Sequence, residues 1–224
     1  MKNLWIFGCS FSSGYLKVPR EKSYGNLIAE ELGYNIINLA NAGRSNDMLF
    51  YELMSNINNI KEGDYIIFQF SSFDRIGHFV DENPHSYFSS AGLPQLGIDH
   101  KMNEDPFKNF SKQELKILLD YIIEWHPRTW KFDIDNTINL LNYLKSTKNI
   151  NYSLLYMLNE YQVINENVIK LPTSTNKNNI SIHDFLMENK LTISDEFPDE
   201  YVYFDSHPGF GGHEKLKEII LNKI

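Results

Sequence analysis

Two short segments at opposite ends of the chain carry residues able to do chemistry. Near the start, the apolar run from Asn3 to Phe7 leads directly into Gly8-Cys9-Ser10-Phe11-Ser12-Ser13-Gly14. Near the end stands Asp205-Ser206-His207-Pro208-Gly209, followed by Phe210-Gly211-Gly212-His213. A carboxylate two residues before a histidine, on a Pro/Gly-rich loop, can hold an imidazole in one tautomer; this is the orienter-and-base half of a hydrolytic triad. A serine hydroxyl is a weak nucleophile until such a base takes its proton. Ser10, His207 and Asp205 are therefore a candidate nucleophile, base and orienter, provided the fold brings the last loop to the end of the first strand. Phosphate-binding readings of the first loop fail. Five residues separate Gly8 from Gly14, where a P-loop has four, and Tyr15 follows, so the P-loop lysine is missing; no G-x-G-x-x-G is present. A cysteine-phosphatase loop would need arginine where Tyr15 stands.

The elements that must position these residues alternate over the first third of the chain. Asn3 to Phe7, Tyr34 to Ala40 and Tyr65 to Phe70 read as strands. Between them, a helix capped by Ser23 and stopped by Gly33, and a second over Asp47 to Ile60, show one apolar face each. Such alternation implies a parallel sheet with right-handed crossovers and helices on both faces, an α/β fold. Open sheets of this kind bind ligands at the carboxyl ends of their strands, where the Gly8–Gly14 loop lies. From about Gly77 to Asn109 no period is sustained, and a loop this long is expected to be functional or disordered. Helices are expected near 112–124 and 133–147, a fourth strand over Asn151 to Leu158, a short helix opened by Ser181, and a last helix over about 212–223. The length of 224 residues allows one large domain or at most two small ones, and the need for Ser10 and His207 to meet favours one. A single domain over 1–224 with an insertion or lid at about 76–132 is expected.

Composition narrows the function class. The net charge of −8 argues against nucleic acid as a partner, which would call for clustered Lys and Arg. One cysteine leaves no intramolecular disulfide and no Cys-rich zinc site. His207 and His213 lack a third good ligand, so no metal and no organic cofactor is expected. The run Leu4-Trp5-Ile6-Phe7 is too short for a signal-peptide core, and no apolar stretch approaches a membrane span, so a cytoplasmic protein without membrane partners is the expectation.

The sequence resembles the SGNH (GDSL-like) hydrolases, and within them a subgroup with a Gly-Cys-Ser-Phe first block and an Asp-x-His-Pro last block. The first block is Ile6-Phe7-Gly8-Cys9-Ser10-Phe11 and the second Asn38-Leu39-Ala40-Asn41-Ala42-Gly43-Arg44-Ser45-Asn46-Asp47. The resemblance implies a three-layer α/β/α, flavodoxin-like fold. It implies Ser10 as nucleophile, His207 as base, Asp205 as its partner, and the Ser10 and Gly43 N–H groups as oxyanion donors. The family's third-block Asn is missing: the third strand ends in Gln69-Phe70-Ser71-Ser72-Phe73-Asp74-Arg75. Ser71 or Asn46 is then the candidate replacement, Asn46 having a helix N-cap as its other reading. Asp205 and His207 are separated by one residue where the family usually has two, a spacing found in polysaccharide O-acetyl-group enzymes of the same superfamily. The implied activity is hydrolysis of an ester, O-acetyl on a carbohydrate, with a small-molecule or glycan ester as substrate. An O-acetyltransferase using the same triad and a non-catalytic glycan-binding protein are the alternatives. Arg75 is a candidate for binding an acidic substrate or else a surface ion pair. Cys9 reads as a small buried residue and His213 as a packing residue. Trp125, Trp130 and Phe132 read as helix packing, with sugar stacking as the other possibility.

Overall fold

Mainly apolar, strand-forming runs give β1 (Asn3–Phe7), β2 (Asn35–Asn38) and β3 (Tyr65–Phe70). The computed structural model describes residues 1–72, 75, 77–79, 87–89, 111, 113, 114, 116, 117, 120, 126–158, 165–198 and 205–224. Two three-residue strands, β4 (Gly77–Phe79) and β5 (Tyr87–Ser89), pair antiparallel. With β6 (Asn151–Tyr156), the first three strands form a parallel sheet in the order β2-β1-β3-β6. Helices α1 (Ser10–Ser13), α2 (Tyr24–Leu32) and α3 (Asn46–Asn56) occupy the first third. They are followed by α4 (His126–Lys148), α5 (Ile182–Asn189), α6 (Ile193–Glu196) and α7 (Phe210–Leu221).

Side chains alternate across a strand, and β1 uses this to seed two cores. Leu4 and Ile6 pack with Tyr24 and Ile28 of α2, Phe185 and Leu186 of α5, and Leu216 and Ile220 of α7. Trp5 and Phe7 pack on the other face with Leu49 and Leu53 of α3 and Ile134, Ile138, Leu141 and Leu144 of α4. The result is the expected three-layer α/β/α architecture, and every residue of β3 is buried, as a strand covered on both faces must be. The chain passes from β1 to β2 on one side and returns to β3 on the other. Loops after β1 and β3 thus leave in opposite directions at a switch point, which opens a crevice at the carboxyl edge of the sheet.

The boundaries differ from the sequence expectation in informative ways. Ser23 occupies the N-terminal cap of α2, but its hydroxyl donates to Asn26 Oδ1 at 3.1 Å instead of capping the backbone. Gly33 does stop α2, with φ of 66°. Ser45, not Asn46, is the cap position of α3. Helix α4 begins at His126 rather than 133; Pro127 fits in a first turn because the missing N–H would have no acceptor there. The expected insertion over 76–132 therefore ends inside a helix, and it contains the β4–β5 pair, whose strands are too short to register as a period. Most of that segment, and most of the helix expected near 112–124, lies outside the described residues, although residues 113, 114, 116, 117 and 120 are helical. Phe132 is exposed, so the packing expectation fails for it, while Trp125 lies outside the described residues.

His213 joins α7 to α2 as a core residue. Its Nδ1 accepts the Tyr24 N–H at 3.2 Å, so the neutral ring carries its proton on Nε2. Burial, and secondly the charge of His207, push its pKa down to about 3 from 6.5. Between those values the unfolded chain takes up the proton and the folded chain does not, so this histidine's contribution to stability is lost as pH falls. Urea denaturation at a series of pH values should show stability declining below about 6.5, with a shallower decline in His213→Gln.

Candidate active site

Ser10 opens α1 immediately after the turn that ends β1. The turn is tight: a Cβ on Gly8 would lie 2.7 Å from Ser12 Oγ and 2.9 Å from Gln69 Oε1. Only glycine fits so close an approach. Gln69 Oε1 accepts from the Cys9 N–H at 2.9 Å, the Cys9 thiol at 3.2 Å and the Ser12 hydroxyl at 3.0 Å. One buried carbonyl of β3 thus fixes the loop that presents Ser10. Cys9 itself is fully buried, as expected, with Sγ 3.8 Å from Met157 Sδ.

The second half of the site is held by the segment around α6. Thr192 and Asp195 form a reciprocal capping box. The loop carrying Asp205 and His207 lies against it: Ile193 N–H donates to the His207 carbonyl at 2.8 Å, and Asp205 N–H to Ser194 Oγ at 2.5 Å. Gly209 N–H donates to the Leu191 carbonyl at 2.9 Å. The Glu196 carboxylate then accepts the Phe210 and Gly211 N–H groups, each at 2.7 Å, at the start of α7. Those are donors that a helix leaves without internal partners, and a carboxylate is favoured at that end by the helix dipole. A Cβ on Gly209 would come within 2.3 Å of the Glu196 carboxyl carbon, so glycine is required at that position also.

These two supports bring the chain ends together. His207 Nε2 lies 2.7 Å from Ser10 Oγ, and His207 Nδ1 lies 2.8 Å from Asp205 Oδ1. The same carboxylate oxygen accepts the His207 backbone N–H at 2.9 Å. With the Nδ1 proton donated to Asp205, Nε2 is left to accept the Ser10 hydroxyl proton. Phe11 and Tyr15 flank the imidazole, with ring centroids 4.8 Å and 4.1 Å away. Burial lowers the His207 pKa from its usual 6.5, Arg75 lowers it further, and Asp205 opposes both. Near neutral pH the ring is thus free to take a proton.

The remaining candidates fall around this line. Gly43 sits in the turn after β2 with φ of 78°, and the Asn41 N–H ties that turn to the Gly8 carbonyl at 3.1 Å. The N–H groups of Ser10 and Gly43 donate to no protein acceptor among the described residues. Asn46 is not the helix cap: its Oδ1 accepts the Ser71 N–H at 2.8 Å, and its Nδ2 gives one of its two hydrogens to the Ser71 carbonyl at 3.2 Å. Its amide is engaged in zipping α3 to the end of β3. Ser71 is fully buried and its Oγ accepts from Arg75 Nη1 at 3.1 Å. Among the described residues no group of three or more His, Cys, Asp or Glu side chains could hold a metal ion, and no helix is long and apolar enough to cross a membrane.

Gln69, Glu196, Tyr15 and Phe11 were not singled out by sequence. One of them had a signal: Gln69 is the one amide in an otherwise apolar strand.

No protein-family model and no curated protein sequence matches the chain. Solved structures are similar to it over nearly its whole length at low identity. One is phospholipase A1 from Streptomyces albidoflavus NA297, with 11% identity, coverage of 100% of this chain and 99% of that one, and a TM-score of 0.46. Another is a member of the lipolytic protein G-D-S-L family from Veillonella parvula DSM 2008, with 12% identity, 99% and 97% coverage and a TM-score of 0.39. A third is a carbohydrate esterase family 2 enzyme plus carbohydrate-binding domain from Corynascus thermopiles, with 11% identity, 99% and 65% coverage and a TM-score of 0.43. The likeness is loose, and the side-chain geometry is what gives the site its meaning.

Glu196→Ala should remove the acceptor for two helix-end donors, lowering stability by about 1–2 kcal/mol in thermal or urea denaturation. It should also slow modification of Ser10 by a fluorophosphonate, because the loop it anchors holds His207. Unchanged labelling together with lowered stability would separate Glu196 from the positioning of His207.

Proposed function

We propose that the protein is a serine ester hydrolase of the SGNH type, acting on O-acetyl groups of a carbohydrate. The observation that carries the reading is the unbroken line from Asp205 through His207 to Ser10, at 2.8 Å and 2.7 Å. Ser10 Oγ attacks the ester carbonyl carbon as its proton passes to His207 Nε2. The carbonyl oxygen becomes an oxyanion, met by the Ser10 and Gly43 N–H groups. Collapse of the tetrahedral intermediate breaks the bond to the alcohol, which takes the proton from His207 and leaves an acetyl ester on Ser10. Water attacks that ester by the same route, releasing acetate and restoring the hydroxyl. Asp205 keeps the imidazole in the tautomer that both half-reactions need and stabilises the imidazolium formed in each.

Membership of the SGNH superfamily is supported by the ordered blocks at Gly8–Phe11, Asn38–Asp47 and Asp205–Pro208. The acetyl-carbohydrate part rests on the one-residue Asp205–His207 spacing. Substrate choice is assigned to the segment at about 76–132, on a single domain.

The test is turnover of 4-nitrophenyl acetate across pH. kcat/KM should fall as pH drops through a pKa below 6.5, because protonated His207 cannot accept the serine proton. Ser10→Ala, His207→Gln and Asp205→Asn should each lower kcat by roughly 10³-fold or more. A flat profile on the acid side, or a Ser10→Ala variant with full activity, would remove the triad from the mechanism.

A further inference from the structure

Arg75 is the charged side chain that the hydrolytic steps leave without a task. It lies on the loop after β3, at the crevice edge opposite the Gly43 turn, and is half-buried. Its Nη1 donates to Ser71 Oγ at 3.1 Å and its backbone N–H to the Ser72 carbonyl at 3.4 Å, so the side chain is anchored and not waving in solvent. The other arginines near the strand ends have partners. Arg44 pairs with Glu52 at 3.2 Å, and Arg20 donates to the Asn38 and Ala40 carbonyls at 3.1 and 3.0 Å. Among the described residues Arg75 has no carboxylate partner, and its Nε and Nη2 donors have no acceptor.

An unbalanced cation at this position is a burden on ester hydrolysis. Arg75 acts on His207 against protonation, yet the base must become an imidazolium as Ser10 attacks. A resting-state cation that opposes the reaction is accounted for if the substrate brings a compensating charge with it. The oxyanion already has the free Ser10 and Gly43 N–H groups, and it exists only in passing. In a chain of net charge −8 the protein's general field repels anions, so recognition of one must be local. A guanidinium with a free N–H fork is suited to a carboxylate, which it can bind through two parallel hydrogen bonds.

We infer that Arg75 adds a charge selection to the site and favours an anionic ester, one bearing a carboxylate near the scissile bond, as an acetylated acidic sugar would. The inference rests on the hydrolase reading above. On this account a bound carboxylate removes the repulsion between Arg75 and the imidazolium, so anionic esters gain in the chemical step as well as in binding.

The experiment compares 3- and 4-acetoxybenzoate with their methyl esters, which differ in charge and keep the same acetyl group. The wild type should show higher kcat/KM for the carboxylates. Arg75→Gln should lower the anionic-to-neutral ratio by about tenfold or more, Arg75→Lys should retain part of the preference, and added salt should weaken the preference in the wild type. The acid limb of the Arg75→Gln profile should move to higher pH, which a purely structural role would not produce. Equal loss on charged and neutral esters would assign Arg75 to the oxyanion or to packing and overturn the inference. So would a wild type indifferent to the carboxylate. A chain that hydrolyses none of these esters refutes the hydrolase reading and the Arg75 inference with it.

Discussion

A serine hydroxyl becomes a useful nucleophile only where an imidazole stands within hydrogen-bonding reach, and here the two are 197 residues apart in the chain. A separation of this kind cannot be met by local structure. It needs a sheet whose first strand ends beside the start of the last helix, with both ends held to within fractions of an ångström. Much of the polar design follows from that demand. Gln69 reaches from β3 to fix the Ser10 turn. Thr192, Ser194 and Glu196 hold the loop of Asp205 and His207 by its backbone. His213 ties α7 to α2 beneath both.

The two supports differ in chemistry because they do different work. The Ser10 turn is compressed, with glycine and small side chains packed around one buried amide, so its precision comes from close contact. The His207 loop is suspended by several backbone hydrogen bonds and a carboxylate at a helix terminus, so its precision comes from satisfied polar groups. Phe11 and Tyr15 pack against the imidazole and add to the burial that is the main reason its pKa falls. On the opposite side, Asn46 locks the Ser71 backbone and leaves its hydroxyl to anchor Arg75. The crevice therefore has a neutral base at its centre and a cation at its edge.

The residues of the Asp205–His207–Ser10 line and the sheet were legible in the sequence, since both are written in local patterns. β1 and β3 lie at their expected limits because their apolar runs are bounded by Gly8 at one end and Gly63-Asp64 at another. Ser10, Asp205 and His207 were recognisable because turn residues and spacing expose them. What stayed hidden was pairing at a distance. Nothing adjacent to Glu196 reveals that its carboxylate caps a helix beginning at Phe210, and nothing near Asn46 reveals that its amide is taken by Ser71. Ser23 does stand at the cap of α2, but its hydroxyl turns to Asn26; Asn46 yields the cap of α3 to Ser45 because its amide has a better partner in Ser71. Propensity describes what a side chain does without competition, and the folded chain supplies the competition.

The most direct measurement of the central claim is intact-mass analysis with peptide mapping after exposure to a fluorophosphonate, which captures an activated serine. The account predicts a single adduct on Ser10 in the wild type, strongly slowed in His207→Gln and lost in Ser10→Ala. A wild-type chain that stays unmodified, or one that carries its adduct on another residue, would contradict the claim that Ser10 and His207 meet as nucleophile and base.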